Sequence, residues 1–379
     1  MIPYGRHDIA QEDIESVVEV LKSHFLTQGP VVPKFEKKLC QITGANHSVV
    51  SNSATSALHL SCLALGLGSG DILWTSPITF VASVNCALYC SALVDFIDVD
   101  PNNGLISIDK LKEKLQKADI EGKLPKVLIA VHLAGQPCDM EEICFLGKKY
   151  DFKIIEDAAH AIGAIYKGES VGNCHYSDIT VFSFHPVKII TSGEGGASLT
   201  NDPGLASRMR LLRSHGITRN VDEMIYPSEE SWYYEQIDLG YNYRMTDIQC
   251  ALGSSQLERA EIGLAKRREI ANFYDRAFEN HPHIETQTLT ENEKSGHAYH
   301  LYVIRTENRL RLYNHLHEHG ILGQIHYVPI HYLPFHSRKS FNLPQAEAYY
   351  SQCLSLPMFP TLTSEELDYI VGVIDKYQS

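Results

Sequence analysis

The feature that most constrains this chain is a series of short apolar runs, rich in β-branched residues, separated by stretches with helical periodicity. His47–Val50, Ile72–Thr75, Leu93–Val99, Val127–Val131, Phe152–Ile155 and Ile179–Phe182 are such runs. Strands of this kind, each followed by a helix, are buried on both faces. Between them, Ile108, Leu111 and Leu115 follow a helical period behind Ser107, a hydroxyl residue placed to cap. Ile14, Val17, Val18 and Leu21 repeat in the same way near the start. The alternation predicts an α/β fold with a mainly parallel central sheet flanked by helices. Its polar, Gly-rich turns fall at the carboxyl ends of the strands, where ligands collect in such sheets.

The pattern loosens after Thr200. Residues 217–235 are polar, aromatic and aperiodic, which reads as a long mobile loop, with Trp232, Tyr233 and Tyr234 as a lid. A new block starts near Gly240 and ends in a helix with a capping box, Thr363 to Glu366, ahead of Leu367, Ile370, Val371 and Ile374. This predicts a large α/β domain with an N-terminal arm over residues 1–240 and a smaller C-terminal α+β domain over 241–379.

Composition removes several function classes. The 379 residues carry a net charge of −13 with no long Lys/Arg run, which argues against a nucleic-acid surface. No apolar run approaches the ~20 residues needed to span a bilayer. The opening MIPYGRHDIA lacks the layout of a secretory signal, so the expectation is a cytoplasmic protein with no membrane partner. The 9 cysteines are scattered, odd in number and free of any CxxC, as suits small buried thiols in a reduced compartment. His326, His331 and His336 are spaced like neither a helical face nor a zinc pattern, so no metal site is expected.

Chemistry concentrates in a few stretches. In SNSATSALHL (51–60), Thr55 and Ser56 sit where helix N–H groups favour a phosphate, although Ser/Thr clusters before a helix commonly serve as plain caps. In KIIEDAAHAIGA (153–164) an Ile-rich strand delivers Asp157, either a helix cap or a partner for a cationic ligand nitrogen. In TVFSFHPVKIITSGEGGASLT (180–200) a strand leads through Ser183 and His185 to Lys188. That lysine either snorkels to solvent or is held desolvated, where its amine becomes a usable nucleophile. In LGYNYRMTDIQCALG (239–253), Asn242 and Arg244 precede an amphipathic helix.

Taken in order, EDAAHA, FSFHPVKIITSGEGG and YNYRMTDIQCALG resemble the DegT/StrS family of fold-type-I, pyridoxal-phosphate-dependent sugar aminotransferases. The likeness runs from LTQGP (26–30) to LSLPMFP (354–360), and Cys250 stands where members often carry Ala. It implies pyridoxal 5′-phosphate as cofactor, Lys188 as the Schiff-base lysine and proton shuttle, and Asp157 as the partner of the ring nitrogen. It further implies a phosphate cradle from Thr55, Ser56 and Ser183, and Asn242 reaching that phosphate from the neighbouring subunit of a homodimer. Phe80 would stack on the ring, against the plainer reading of a core phenylalanine, and His160 would lie near the phenolic oxygen. His185, Tyr327 and His331 are expected near the substrate, His185 with the plainer option of positioning the lysine turn. The stretches NSATSAL, PITFVA, RSHGI and GILGQIHYVPI are similar to members that move an amino group from L-glutamate to C4 of a UDP-linked 4-keto-6-deoxy-N-acetylhexosamine, in the synthesis of the cell-surface sugar pseudaminic acid. A GDP-perosamine-type or dTDP-linked keto-sugar, aminated at C3 or C4, is the alternative substrate. A sugar dehydratase would replace the lysine, and a non-catalytic cofactor-binding regulator would leave the complete catalytic set unexplained.

Overall fold

A computed structural model describes residues 1–228, 230–337 and 341–377. Its centre is a seven-stranded sheet. In chain order the strands are β1 (His47–Ser51), β2 (Ile72–Thr75), β3 (Leu93–Phe96), β4 (Val127–Val131), β5 (Lys153–Asp157), β6 (Ile179–Ser183) and β7 (Gly196–Thr200). In space they run β1-β7-β6-β5-β4-β2-β3. The pairs β6/β5, β5/β4, β4/β2 and β2/β3 are parallel, whereas β7 is antiparallel to both its neighbours. Every residue of β4, β6 and β7 is buried, as a sheet covered on both faces requires.

The strand β7 was not expected. Its residues, GASLT, are small and polar, and it follows a glycine turn that reads as loop. What makes it a strand is tertiary. It fills the gap between β1 and β6, where Ala197 pairs with both Val50 and Phe182.

Helices cover the sheet as the periodicity predicts. Leu111 and Leu115 are fully buried, and Ser107 caps their helix by accepting from the Lys110 N–H. The capping box at Thr363 and Glu366 is present, with Leu367, Ile370 and Ile374 turned inward. The helix Gln11–Leu21 forms too, but its apolar stripe faces out, with Ile14 49% and Leu21 55% exposed. It docks instead through Asp13, whose buried carboxylate accepts from Gln256 at 2.7 Å and from Arg259 at 2.8 Å. Residues 217–228 and 230–235 also hold more hydrogen bonding than a free loop would. Ile217–Thr218 pairs with Glu235–Gln236, and the Glu235 carboxylate accepts the N–H groups of Ile225 and Tyr226 and the Tyr233 hydroxyl.

The C-terminal part packs helices Ala260–Phe278, Arg309–Glu318 and Ser364–Asp375 around an antiparallel ladder, Tyr302–Arg305 against Cys353–Leu356. The chain's first residues join it, Ile2–Pro3 pairing in parallel with Ile321–Leu322. Among the described residues no helix is long and apolar enough to cross a membrane. One buried cation ties this part together. The Arg267 guanidinium donates to the carbonyls of Tyr299, His300 and Met358 at 3.1, 3.3 and 2.8 Å. Burial alone pushes its pKa down to about 10. Arg267→Met is therefore expected to destabilise the protein by about 2–4 kcal/mol, because buried carbonyls lose their donors. Equilibrium denaturation measures this, and a loss below about 0.5 kcal/mol would show that the carbonyls find other partners.

Candidate active site

The site grows from the carboxyl ends of β5 and β6. β5 ends on Asp157, which is buried. A bare carboxylate is costly there, and its oxygens are satisfied locally. One accepts the Ser83 hydroxyl at 2.6 Å and the other the Ala159 N–H at 3.1 Å. Because Ser83 spends its hydrogen on the carboxylate, the Thr79 hydroxyl, 2.7 Å away, donates to Ser83. Thr79 and Ser83 belong to the TSPITFVAS stretch but went unremarked in the sequence. The signal available was a pair of hydroxyls one helical turn apart.

After β6 the chain turns through His185, whose carbonyl accepts the Lys188 N–H at 2.9 Å. Lys188 is half-buried and lines a cavity, and its amine makes no hydrogen bond among the described residues. Burial lowers its pKa to about 8, against the opposing pull of the Asp157 charge. Three imidazoles surround the amine. Burial and the nearby lysine charge hold His160 well below the usual histidine range, and bring His326 down to about 3. His300, its ring tilted against that of His160 at 4.3 Å between centroids, is lowered chiefly by burial and then by His160 and Lys188.

Opposite the lysine turn, Ser53 caps the helix Ala54–Ala64 by accepting the Ser56 N–H at 3.1 Å. The Ser56 hydroxyl donates to the Asn52 side chain at 2.6 Å. The first-turn N–H groups of Ala54 and Thr55 have no acceptor within the helix and point to its positive end. Gly196 closes this corner, since a Cβ there would lie 2.5 Å from the Ala54 nitrogen.

These elements bound a cavity of about 940 Å3. Thr55, Ser56, Phe80, Asp157, His160, Ser183, His185, Lys188 and Tyr327 all line it. Phe80 is 58% exposed, so it is no core residue but an aromatic face at the mouth. His331 is not among the lining residues. It is buried behind them, its Nε2 3.2 Å from Glu347 and its ring against Phe96 and Phe341. Nor do Trp232, Tyr233 and Tyr234 line the cavity. The Asn242 side chain is exposed, while its main-chain carbonyl accepts from Asn52 at 3.4 Å, behind the cap of the same chain. Tyr4 of the N-terminal arm also lines the cavity, brought there by the pairing of Ile2–Pro3, and nothing local in the sequence marked it. Among the described residues no group of three or more His, Cys, Asp or Glu is arranged to hold a metal ion.

The chain is 39% identical to the UDP-4-amino-4,6-dideoxy-N-acetyl-beta-L-altrosamine transaminase of Campylobacter jejuni, over 98% of this chain and 96% of that one. Its fold is similar to Helicobacter pylori PseC, an aminotransferase involved in the biosynthesis of pseudoaminic acid, with TM-score 0.89, 33% identity and 98% of each chain covered. It is also similar to the PLP-form of Spr1654, a sugar aminotransferase of Streptococcus pneumoniae described as putative, with TM-score 0.87, 30% identity, and 99% and 97% covered. Residues 7–375 match one family over nearly the whole chain, and the protein belongs to it: the DegT/DnrJ/EryC1/StrS aminotransferase family.

Proposed function

We propose that this aminotransferase uses pyridoxal 5′-phosphate to move the amino group of L-glutamate onto C4 of a UDP-linked 4-keto-6-deoxy-N-acetylhexosamine. The observation that carries the reading is the unpartnered, desolvated amine of Lys188 facing the same cavity as the buried carboxylate of Asp157. The choice of sugar rests on the likeness to the Campylobacter transaminase. We read the protein as a cytoplasmic homodimer with shared sites, its large domain spanning residues 1–240 and its small one 241–379.

The residues present fit a phosphorylated pyridine aldehyde. Thr55, Ser56 and Ser183, with the free N–H groups of the helix start, suit a phosphate. Asn242 of a second copy would complete that cradle. Asp157 suits a protonated ring nitrogen, and Phe80 offers its face to a flat ring. When bound, the cofactor supplies a carbonyl carbon that takes up an amino group and a ring that withdraws electrons.

The chain's own residues then have defined work. Lys188 Nζ, mostly neutral above about pH 8, is the group that would hold the cofactor and be freed by the amino donor. The freed amine takes the proton from the donor's Cα and returns one in the second half-reaction, and the same lysine serves both directions because the chemistry is reversible. Asp157, oriented by Ser83 and the Ala159 N–H, would keep a ring nitrogen brought against it protonated. His185 and Tyr327 line the same cavity and would contact the sugar.

Purified protein should be yellow, and Lys188→Ala should abolish covalent attachment after borohydride reduction and lower turnover by roughly 10²–10⁴-fold. A wild-type protein that stays colourless after pyridoxal 5′-phosphate is added would rule out the cofactor. A depressed lysine pKa also sets a pH dependence. Below about 8 the amine is protonated and unreactive, so covalent capture of added pyridoxal 5′-phosphate by the unliganded protein should rise with pH and level off near 8. An ordinary lysine would keep rising toward about 10.4. With L-glutamate as donor, a panel of UDP-, GDP- and dTDP-linked keto-sugars should show a preference for the UDP-linked 4-keto sugar. A stronger turnover of a dTDP- or GDP-sugar would overturn the substrate while leaving the chemistry.

A further inference from the structure

A second cavity, of about 180 Å3, takes in the far end of the lysine turn. Its charged lining is one-sided: Arg6, Lys188, Arg259, Lys266 and Arg267 stand against Asp8 alone. That is notable in a chain whose net charge is −13. Some of these cations are matched nearby. Arg259 pairs with Asp8 at 3.3 Å and with the buried Asp13 at 2.8 Å, and Lys266 reaches Glu269 at 2.6 Å on the surface. Arg6, on the N-terminal arm, makes no hydrogen bond or ion pair among the described residues.

Arg267 is the decisive member, because it is only 1% exposed. Its bonds to the carbonyls of Tyr299, His300 and Met358 all leave from Nη1. Nε is buried with no partner among the described residues, and Nη2 makes no hydrogen bond there either. None of the three carbonyl residues lines the cavity, so Arg267 meets it with the edge they leave over. That edge, Nε–H beside Nη2–H, carries the two parallel donors that grip a carboxylate or phosphate at two oxygens. A buried guanidinium edge without a partner costs free energy, which an anion placed against it recovers. The first turn of the helix Ala260–Phe278 lines the same space through Ala260, Ile262 and Gly263, adding the positive end of its dipole.

We propose that this cavity is a binding site for a small, doubly charged oxyanion, a phosphate or a dicarboxylate, held by the guanidinium groups of Arg6 and Arg267. Two cations without counter-charge call for two negative charges. The cavity is smaller than the roughly 300 Å3 at which pockets for drug-sized ligands begin, so its occupant is a small ion. The site is separate from the corner at Thr55, Ser56 and Ser183, none of which lines it, and it does not rest on the identity of the cofactor or sugar.

The test is calorimetric titration of the full chain with inorganic phosphate and, separately, with succinate, at constant ionic strength. Wild-type protein is expected to bind one of them, and the tighter of the two names the occupant as a phosphate or a dicarboxylate. Arg6→Ala should weaken that binding by at least about tenfold, the worth of one charge-assisted contact. Arg267→Lys keeps the cation but loses the paired donors, and should weaken it by a similar factor. Should Arg267→Lys fail to fold, Arg6→Ala carries the test, since that side chain is exposed and unpartnered among the described residues. Neither arginine lines the larger cavity, so an anion held there would bind both variants as tightly as the wild type. That result, or no binding of either anion, overturns the proposal.

Discussion

Everything in the cavity is arranged around one buried carboxylate. Asp157 leaves the sheet at the end of β5 with a hydroxyl on one oxygen and an amide on the other. A carboxylate without those donors would be expensive to bury. With them it stands as a fixed acceptor, because Thr79 orients Ser83 and the helix holding Ser83 is packed against the sheet. The amine of Lys188 faces the same space from the next strand. Burial and the carboxylate pull its protonation in opposite directions, and burial wins, bringing the amine's pKa down to about 8. Each group thus depends on the other's position, and the parallel pairing of β5 and β6 sets that position.

The C-terminal half turns this pair into an enclosed site. The segment carrying His326, Tyr327 and Val328 is pinned over β2 by the Ile330 N–H, which donates to the Pro77 carbonyl at 3.0 Å. Arg267 fixes the chain at Tyr299 and His300 from behind, and so places the His300 ring against His160. A buried guanidinium that binds only carbonyls costs desolvation without a counter-charge. Its position suggests that holding this wall of the cavity is what that cost secures.

The legible part of the chain was the part with local rules. Fully apolar strands, capping residues and the motif stretches announce themselves within a few positions, and so Lys188 and Asp157 could be placed before any coordinates. What was hidden depends on pairing over long distances. β7 is a strand only because β1 and β6 leave room for it, and Tyr4 reaches the cavity only because Ile2–Pro3 pairs with Ile321–Leu322. Two acids stand side by side at 156 and 157, both buried. Alternation says they face opposite sides of the sheet, but it cannot say which side holds the cavity. Glu156 meets His132 at 2.8 Å and Thr180 at 3.0 Å on the far side, a structural pair that uses the same chemistry for packing. His331 lies away from the cavity lining for a related reason. It follows a segment that does line the cavity, yet the short helical turn Ile330–Tyr332 carries it round to Glu347.

The histidines show how the site separates polarity from basicity. A chain with 19 of them invites a metal or a general base. Around the lysine, however, burial and the amine's own charge hold His160, His300 and His326 below their usual range. These rings keep the ability to donate and accept hydrogen bonds while losing affinity for a proton. A proton released in the cavity therefore finds Lys188, at about 8, a far stronger base than His326, at about 3. The amine that must carry the proton thus has three buried imidazoles near it that do not compete for that proton, and this follows from desolvation acting in the same direction on each of these buried groups.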